Sequence, residues 1–341
     1  MIKIGIHHQA GSYSGVWINY CQQHHIDYKV VNSYDTDIVD QLKDCDIFMW
    51  HFHQMNYRDM NFAKQLLFSL EQAGKIVFPN FKTGWHFDDK LGQKYLFEAN
   101  GIHAAPSFVF YDKSTALEWA RKTTFPKVFK LRGGAGGYNV RLIKSHYEAK
   151  RCIRRAFGRG WKSYDKFYNA IRLLIELFKR SATLRQFLGS CSLLFRHTPS
   201  DLLPDHRGYV YFQEFIPTDG FDYRIEICGD KAIAMIRYCR KGDFRASGSH
   251  LVHHENGLVE QDVIQYAFEV ADKLHLQSAA IDIVRHKDTG EIYVVENSYC
   301  YGVDEDEFDH GYWTKDGVYH NEPFNGIEWM IESVINEHQT I

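Results

Sequence analysis

The sequence predicts an α/β protein: a small, mostly parallel sheet covered by helices, followed by two subdomains that mix strands and helices. Three observations carry this. The first 87 residues alternate short apolar strand-like runs with stretches of helical periodicity, the pattern of a parallel sheet. A glycine-rich loop, Arg132-Gly133-Gly134-Ala135-Gly136-Gly137, has strand-like sequence on both sides. Near the C-terminus, two apolar strands carry carboxylates, Asp282 and Glu296, across a turn.

In order, residues 2–6 read as a first strand and 9–15 as a Gly/Ser loop, with a helix from about Val16. Residues 28–31 and 46–52 are further strands, 61–73 a helix stopped by Gly74, and 75–78 a strand stopped by Pro79. A helix over 88–99 ends at Asn100-Gly101. Pro106 leads into a strand over 107–111, followed by a helix over 114–122 with Ser114 as its candidate start. Strands over 128–131 and 138–143 flank the glycine loop. Strands alternate with one helix (263–274) through 210–300, and a last helix lies near 328–336. The expected domains are 1–87, 88–208 and 209–341.

Residues 151–200 stand apart. They hold eleven Lys or Arg against Asp165 and Glu176, a local net charge of +9, interleaved with aromatics from Phe157 to Phe195. Their apolar spacing fits one or two amphipathic helices.

Composition narrows the class. With 45% hydrophobic and 24% charged residues, the chain is expected to be globular. Its formal net charge of −3 excludes a general polyanion binder, so electrostatic targeting must be local. Seven cysteines, an odd number without a CxxC pair, point to a reducing compartment rather than a disulfide framework or zinc ribbon. No apolar run reaches membrane-spanning length, and the first residues lack signal-peptide character. The cytoplasm is the expected location, with peripheral attachment at the inner membrane surface left open.

The glycine loop lets backbone N–H groups approach a ligand closely. It lacks the Gly-Lys-Ser/Thr ending of a Walker loop, it leads into a strand rather than a Rossmann helix, and its lysine, Lys130, precedes it, unlike that of a kinase. A phosphate clamp and a plain hairpin turn both fit the loop taken alone. Asp282 and Glu296 fall opposite each other if the turn 287–291 is centred on Thr289. Buried together they call for a cation such as Mg2+, and solvated they are ordinary polar positions.

The chain resembles ATP-grasp ligases, most closely the RimK-type peptide and amide ligases. The resemblance runs from about Asp88 to Tyr301, apart from the basic segment. It rests on Asp89-Lys90-Leu91 with Gly101-Ile102 and Pro106, on Phe125-Pro126-Lys127-Val128-Phe129-Lys130 with the glycine loop, and on Tyr211-Phe212-Gln213-Glu214-Phe215-Ile216. Gly220-Phe221-Asp222-Tyr223-Arg224 and Gly242-Asp243-Phe244-Arg245-Ala246-Ser247 complete it, in family order. It implies a pre-ATP-grasp domain followed by two ATP-grasp subdomains clamping the nucleotide, with ATP and Mg2+ bound.

The implied nucleotide contacts are Lys90, Lys130, Gly133, Gly134, Gly136, Gly137, Gln213, Glu214, Phe215, Ile216 and Asp222. Arg224, Arg237 and Arg245 would line the reacting phosphate. Asp282 and Glu296 would hold the metal. The family's Glu-x-Asn is here Glu296-Asn297-Ser298, so either Ser298 replaces the asparagine or a bulge turns Asn297 inward. The implied reaction joins a carboxylate to an amine through an acyl phosphate, with no Ser-His-Asp or Cys-His nucleophile. An ATP-grasp shell without turnover, a thiol ligase and a kinase remain alternatives.

Several features bear on substrates. The loop from His7 to Gly15, with His51 and His53, is placed to face the substrate cleft. The histidines at 250, 253 and 254 form the only local cluster in the sequence. The acidic run Asp304-Glu305-Asp306-Glu307 could attract an amine. The basic segment suggests an acidic partner, whether a glycan, lipid headgroups or a protein tail. Nucleic acid is disfavoured because no recognition motif accompanies the charge. The narrowest expectation is addition of an amino acid to an acidic cell-envelope polysaccharide or its precursor.

Overall fold

The computed structural model describes residues 2–134, 139–178, 183–303 and 308–340. Strands β1 (Lys3–His7), β2 (Asp27–Val31), β3 (Ile47–Met49) and β4 (Ile76–Phe78) form a parallel sheet in the order β2-β1-β3-β4. Ile4, Ile6, Ile47, Phe48 and Met49 are fully buried, as the central strands of a sheet covered on both faces must be. β3 is shorter than the apolar run 46–52, because Phe52 N–H turns back to the Trp50 carbonyl at 3.1 Å. Helix Tyr57–Gln72 begins earlier than periodicity suggests. Asn56 caps it by accepting the Arg58 N–H at 3.1 Å.

A second sheet contains β5 (Ser107–Phe110), β6 (Lys127–Lys130), β7 (Arg141–Ile143) and β8 (Val210–Glu214), antiparallel in the order β5-β8-β6-β7. Asp112, not Ser114, caps helix Lys113–Lys122, accepting the Thr115 N–H at 2.8 Å. β7 starts only at Arg141, because Asn139 sits in a turn at φ +63°. Three helices (His146–Ala156, Lys166–Phe178 and Leu184–Leu193) occupy the basic region and its approach, where one or two were expected. The first packs on the sheet through Ala149 and Ile153. The second leaves Phe167 and Phe178 exposed, and the third Leu184 and Leu188.

The third sheet is antiparallel, with β9 (Phe221–Cys228), β10 (Lys231–Tyr238), β11 (Val252–His253), β12 (Ser278–Arg285), β13 (Ile292–Ser298), β14 (Tyr312–Thr314) and β15 (Tyr319–His320). Its order is β13-β12-β9-β10-β14-β15, and β11 pairs with β10. Helix Gln261–Leu274 covers one face, packing Val263, Ala267 and Val270 with Ile225, Ile281 and Ile283.

One core joins the N-terminal sheet to the other face of this third sheet. It runs from Trp17 and Phe78 through Cys228, Met235 and Ala280 to Met330 and Val334 of helix Gly326–Thr340. The Trp17 Nε1–H donates to the Ile327 carbonyl at 3.2 Å within it. The second sheet has its own core, around Phe129, Ile153 and Phe212.

Candidate active site

The site is laid out on β9. Tyr223, Ile225 and Ile227 alternate into the core, which puts Asp222, Arg224 and Glu226 on the opposite face. Neighbouring strands complete the array. Asp222 lies opposite Arg237 of β10, Arg224 opposite Asp282 of β12, and Glu226 opposite Ala280. Asp282 in turn faces Glu296 of β13. That last pairing depends on a bulge. Ile283 pairs with Val294, so Val295 is the extra residue, and in a regular ladder Asp282 would face Val295 instead.

Ion pairs knit the array together. Arg224 donates to both Asp282 carboxylate oxygens, at 2.9 and 3.3 Å. Arg237 forks onto Asp222 at 2.8 and 2.7 Å and lies 2.9 Å from Asp282. Burial opposes ionisation of Asp282, but the two guanidinium groups outweigh it and hold the carboxyl down at about 2. Asp222 shifts upward, because its burial outweighs Arg237. Lys90 Nζ bridges Glu296 at 2.9 Å and the Gly134 carbonyl at 2.8 Å. Burial brings the Lys130 amine down to about 8; the attraction of Glu296 opposes this, and repulsion from Lys90 reinforces it.

The start of the glycine loop is docked on residues 88–90. Asp88 accepts the Gly134 N–H at 2.6 Å, and the Lys90 N–H donates to the Arg132 carbonyl at 2.8 Å. A Cβ on Gly133 would meet the Asp88 carboxylate at 2.6 Å, so this glycine allows a close approach within the protein. Gly134 borders the cavity. Ala135, Gly136 and Gly137 lie outside the described residues, as does the acidic run Asp304 to Glu307.

Two cavities meet at the array. The first, about 410 Å³, is bordered by Lys90, Lys130, Gln213–Ile216, Asp222 and Arg245 and by apolar Val128, Val140 and Phe244. The second, about 720 Å³, lies between the third sheet and the N-terminal domain. Gly11, Ser12, Tyr13, His51 and His53 border it, as expected of the His7–Gly15 loop, together with Arg224, Arg237, Glu226 and Asn297. His7 itself is buried, stacked edge-on against Tyr34. Asp282, Glu296, Ala246 and Ser247 border both cavities. Arg245 is turned onto Asp243, with Nε at 3.0 Å and a terminal nitrogen at 2.7 Å.

For Mg2+, the chemistry of the donors fits: two facing carboxylates are hard oxygen ligands, and Mg2+ is commonly held by one or two carboxylates plus phosphate oxygens. No bulge turns Asn297 toward the carboxylates: it pairs with core-facing Ile281, and its buried carboxamide nitrogen and oxygen have no hydrogen-bond partner. The bulge lies before Glu296 and does not change the alternation after it. Ser298 therefore shares the Glu296 face, but its hydroxyl donates to the Cys300 carbonyl at 2.7 Å. The Asn297 backbone is fixed on both sides by Gln93, at 2.7 and 3.3 Å. Among the described residues no cluster of three His, Cys, Asp or Glu side chains could hold a metal, the histidines at 250, 253 and 254 included.

One Cys–His contact is present: His51 Nε2 lies 3.0 Å from Cys300 Sγ. Burial pushes the thiol up to about 12 and the imidazole down to about 3, so the pair is neutral and is no activated nucleophile. Sequence reading missed four site residues. Asp88, which holds the loop, carries no local signal, and Lys127, whose amine meets Glu214 at 2.8 Å, stood only within a motif. Asp243 was quoted only as part of a motif. Glu226 could have been found from the Asp222-x-Arg224-x-Glu226 alternation.

The fold and this two-cavity array define an ATP-grasp protein. Residues 200–309 match the RimK-like ATP-grasp domain family. Among curated proteins, it is 20% identical over 229 residues to the alpha-aminoadipate–LysW ligase LysX of Saccharolobus solfataricus, covering 67% of each chain. Among solved structures, the ATP-grasp ligase PsnB with its minimal precursor superposes at a TM-score of 0.56, with 13% identity and 98% of both chains covered. D-cycloserine synthetase DcsG gives 0.57 at 12% identity, over 98% of this chain and 99% of that one. The RimK domain ATP-grasp protein of Sphaerobacter thermophilus gives 0.53 at 13% identity, over 88% and 92%. No helix among the described residues is long and apolar enough to cross a membrane.

Proposed function

We propose that this protein is an ATP-dependent carboxylate–amine ligase forming an amide through an acyl phosphate. The observation that carries this reading is the wall shared by the two cavities. Asp282 and Glu296 border both, so a phosphoryl group presented from the first is within reach of a carboxylate held in the second.

Gln213, Glu214, Phe215 and Ile216 border the adenine end, Asp222 stands between it and the array, and Lys90 and Lys130 neutralise phosphate charge beneath the loop of Gly133, Gly134, Gly136 and Gly137. A substrate carboxylate oxygen attacks the γ-phosphorus and ADP leaves. The amine nitrogen then attacks the acyl carbon, phosphate leaves, and the amine gives up a proton. Arg224 and Arg237 face the substrate side and Arg245 the nucleotide side, where guanidinium groups stabilise charge on the moving phosphoryl group. Mg2+ held by Asp282 and Glu296 would supply further charge neutralisation on the phosphate oxygens. The relatives support this chemistry: LysX is named as a ligase, and PsnB was solved with its precursor, Mg and ADP.

A narrower reading makes the acid an anionic cell-envelope glycan or its precursor, the amine an amino acid, and the location the inner membrane surface. Its support is the +9 charge of residues 151–200. Mass spectrometry of products from ATP, Mg2+ and a library of amino acids and uronic acids tests both levels. An amide formed in step with ADP, and lost in Asp282→Asn, is expected. Turnover of thiols, or phosphorylated products without amide, would replace the ligase reading. Amides formed only from non-saccharide acids would remove the glycan.

A further inference from the structure

A third cavity, of about 430 Å³, lies away from the two already described, on the outer edge of the second sheet. Its lining is dominated by arginine: Arg141 on β7, and Arg151, Arg154, Arg155 and Arg159 on or just after helix His146–Ala156. Glu148 is the one acid among the lining residues, and its carboxylate already accepts the Lys144 N–H at 2.7 Å. Among the described residues none of the five guanidinium groups is ion-paired. Gathering five like charges around a single lining carboxylate is unfavourable in the empty protein. Burial and then the charges of Arg159 and Arg141 shift Arg155 downward, against the attraction of Asp165.

Arg151, Arg154 and Arg159 are exposed, Arg141 and Arg155 half-buried, and two further features give the half-buried pair a built setting. Trp161 is 5% exposed and stacks beneath the guanidinium groups of Arg155, at 3.7 Å, and Arg141, at 4.5 Å. Its Nε1–H is buried without an acceptor, and so is Nε of Arg141. A rigid indole thus positions two arginines, while two buried donors at the cavity wall lack any acceptor within the protein, a costly arrangement unless a ligand supplies one.

We propose that this cavity is a binding site for a phosphoryl group, separate from the ATP site. A single carboxylate would offset only one of the five charges. A phosphate or phosphomonoester concentrates about two negative charges on three or four oxygens, and guanidinium groups bind such oxygens in forks. The site is linked to the ATP site by chain continuity. Val140 borders the nucleotide cavity, and the next residue, Arg141, borders this one. A phosphoryl group here fixes the strand on which the glycine loop ends.

Calorimetric titration with inorganic pyrophosphate tests this, with the ATP site first saturated by a non-hydrolysable ATP analogue and Mg2+. One equivalent is expected to bind, at least tenfold more weakly in Arg155→Ala/Arg159→Ala and measurably more weakly in Trp161→Phe, which keeps the ring but removes the donor. Unchanged melting temperatures show that the variants fold. Sedimentation with phosphatidic acid/phosphatidylcholine vesicles separates two sources of the same chemistry: pelleting reversed by pyrophosphate assigns a lipid headgroup, and its absence a soluble phosphate. No binding, binding indifferent to these substitutions, or binding of a glutamate-rich peptide in preference to pyrophosphate would overturn the proposal.

Discussion

Lys130 shows how one residue reports on the nucleotide. Its amine is buried and brought down to about 8, where an exposed lysine titrates near 10.5. Polyphosphate bound beside it favours the charged form and raises that value again. Nucleotide binding near pH 8 should therefore take up a fraction of a proton, and affinity should fall as pH rises through 8. Calorimetry in buffers of different ionisation enthalpy reads this directly, and zero uptake would show that Lys130 does not face the phosphates. Arg237 makes the complementary case for stability. It is buried between Asp222 and Asp282, so Arg237→Met leaves two carboxylates short of their partner. We expect a loss of about 3–5 kcal/mol in denaturant unfolding, far above that of an exposed ion pair.

At the scale of elements, the docking of the glycine loop is the sensitive joint. Gly133→Ala pushes a methyl into the Asp88 carboxylate, which itself holds the Gly134 N–H. The expected result is a loss of about 1–3 kcal/mol in stability together with weaker ATP binding. Asp88→Asn, which keeps the shape and an acceptor oxygen, should restore neither but should itself be mild. If Gly133→Ala bound ATP normally, the docking would be incidental. The hairpin β12–β13 shows how much local sequence reveals about an element. The turn at 287–291 and the two apolar runs were readable from residue types, and centring the turn on Thr289 sets Asp282 against Glu296. The bulge at Val295 that produces this opposition was not readable, since Val is no bulge signal and only pairing across the ladder exposes the extra residue. In the same way Asp112 was passed over for Ser114, because both are good caps and backbone geometry decides between them.

For the whole molecule, the cores predict how it moves. The N-terminal sheet and the third sheet share one core, whereas the second sheet, which carries the glycine loop, has its own. We expect the second sheet to close as a unit over the nucleotide. Hydrogen exchange should slow in β6, β7 and the segment 88–90 when an ATP analogue binds, and stay unchanged in β1 and β3. Acid sensitivity is also a property of the whole chain. His7, His86 and His206 are held at about 4 and His51 at about 3, chiefly by burial. The unfolded chain takes up protons at these sites from about pH 6.5 downward while the folded chain does not. Their contribution is thus complete above pH 6.5 and is lost as pH falls toward 4. Thermal scans should show the melting temperature falling by a few degrees or more per pH unit over that window, roughly.

By itself the sequence determined the class of fold and most of the nucleotide side. Alternation places Asp222 and Arg224 on one face of a strand, and a glycine run between strand-like segments marks a loop that can approach a ligand closely; both are local rules tied to residue type and spacing. The tertiary structure alone decided what lies across from each of these groups. It set Arg237 against Asp222, closed the larger cavity with Tyr13 and His51 from the first domain, and brought Cys300 to His51 as a neutral pair. It also gathered Arg141 with the arginines of the following helix around Trp161. These contacts join residues far apart in the chain or on separate elements, so they depend on strand register and domain packing, which no local pattern specifies.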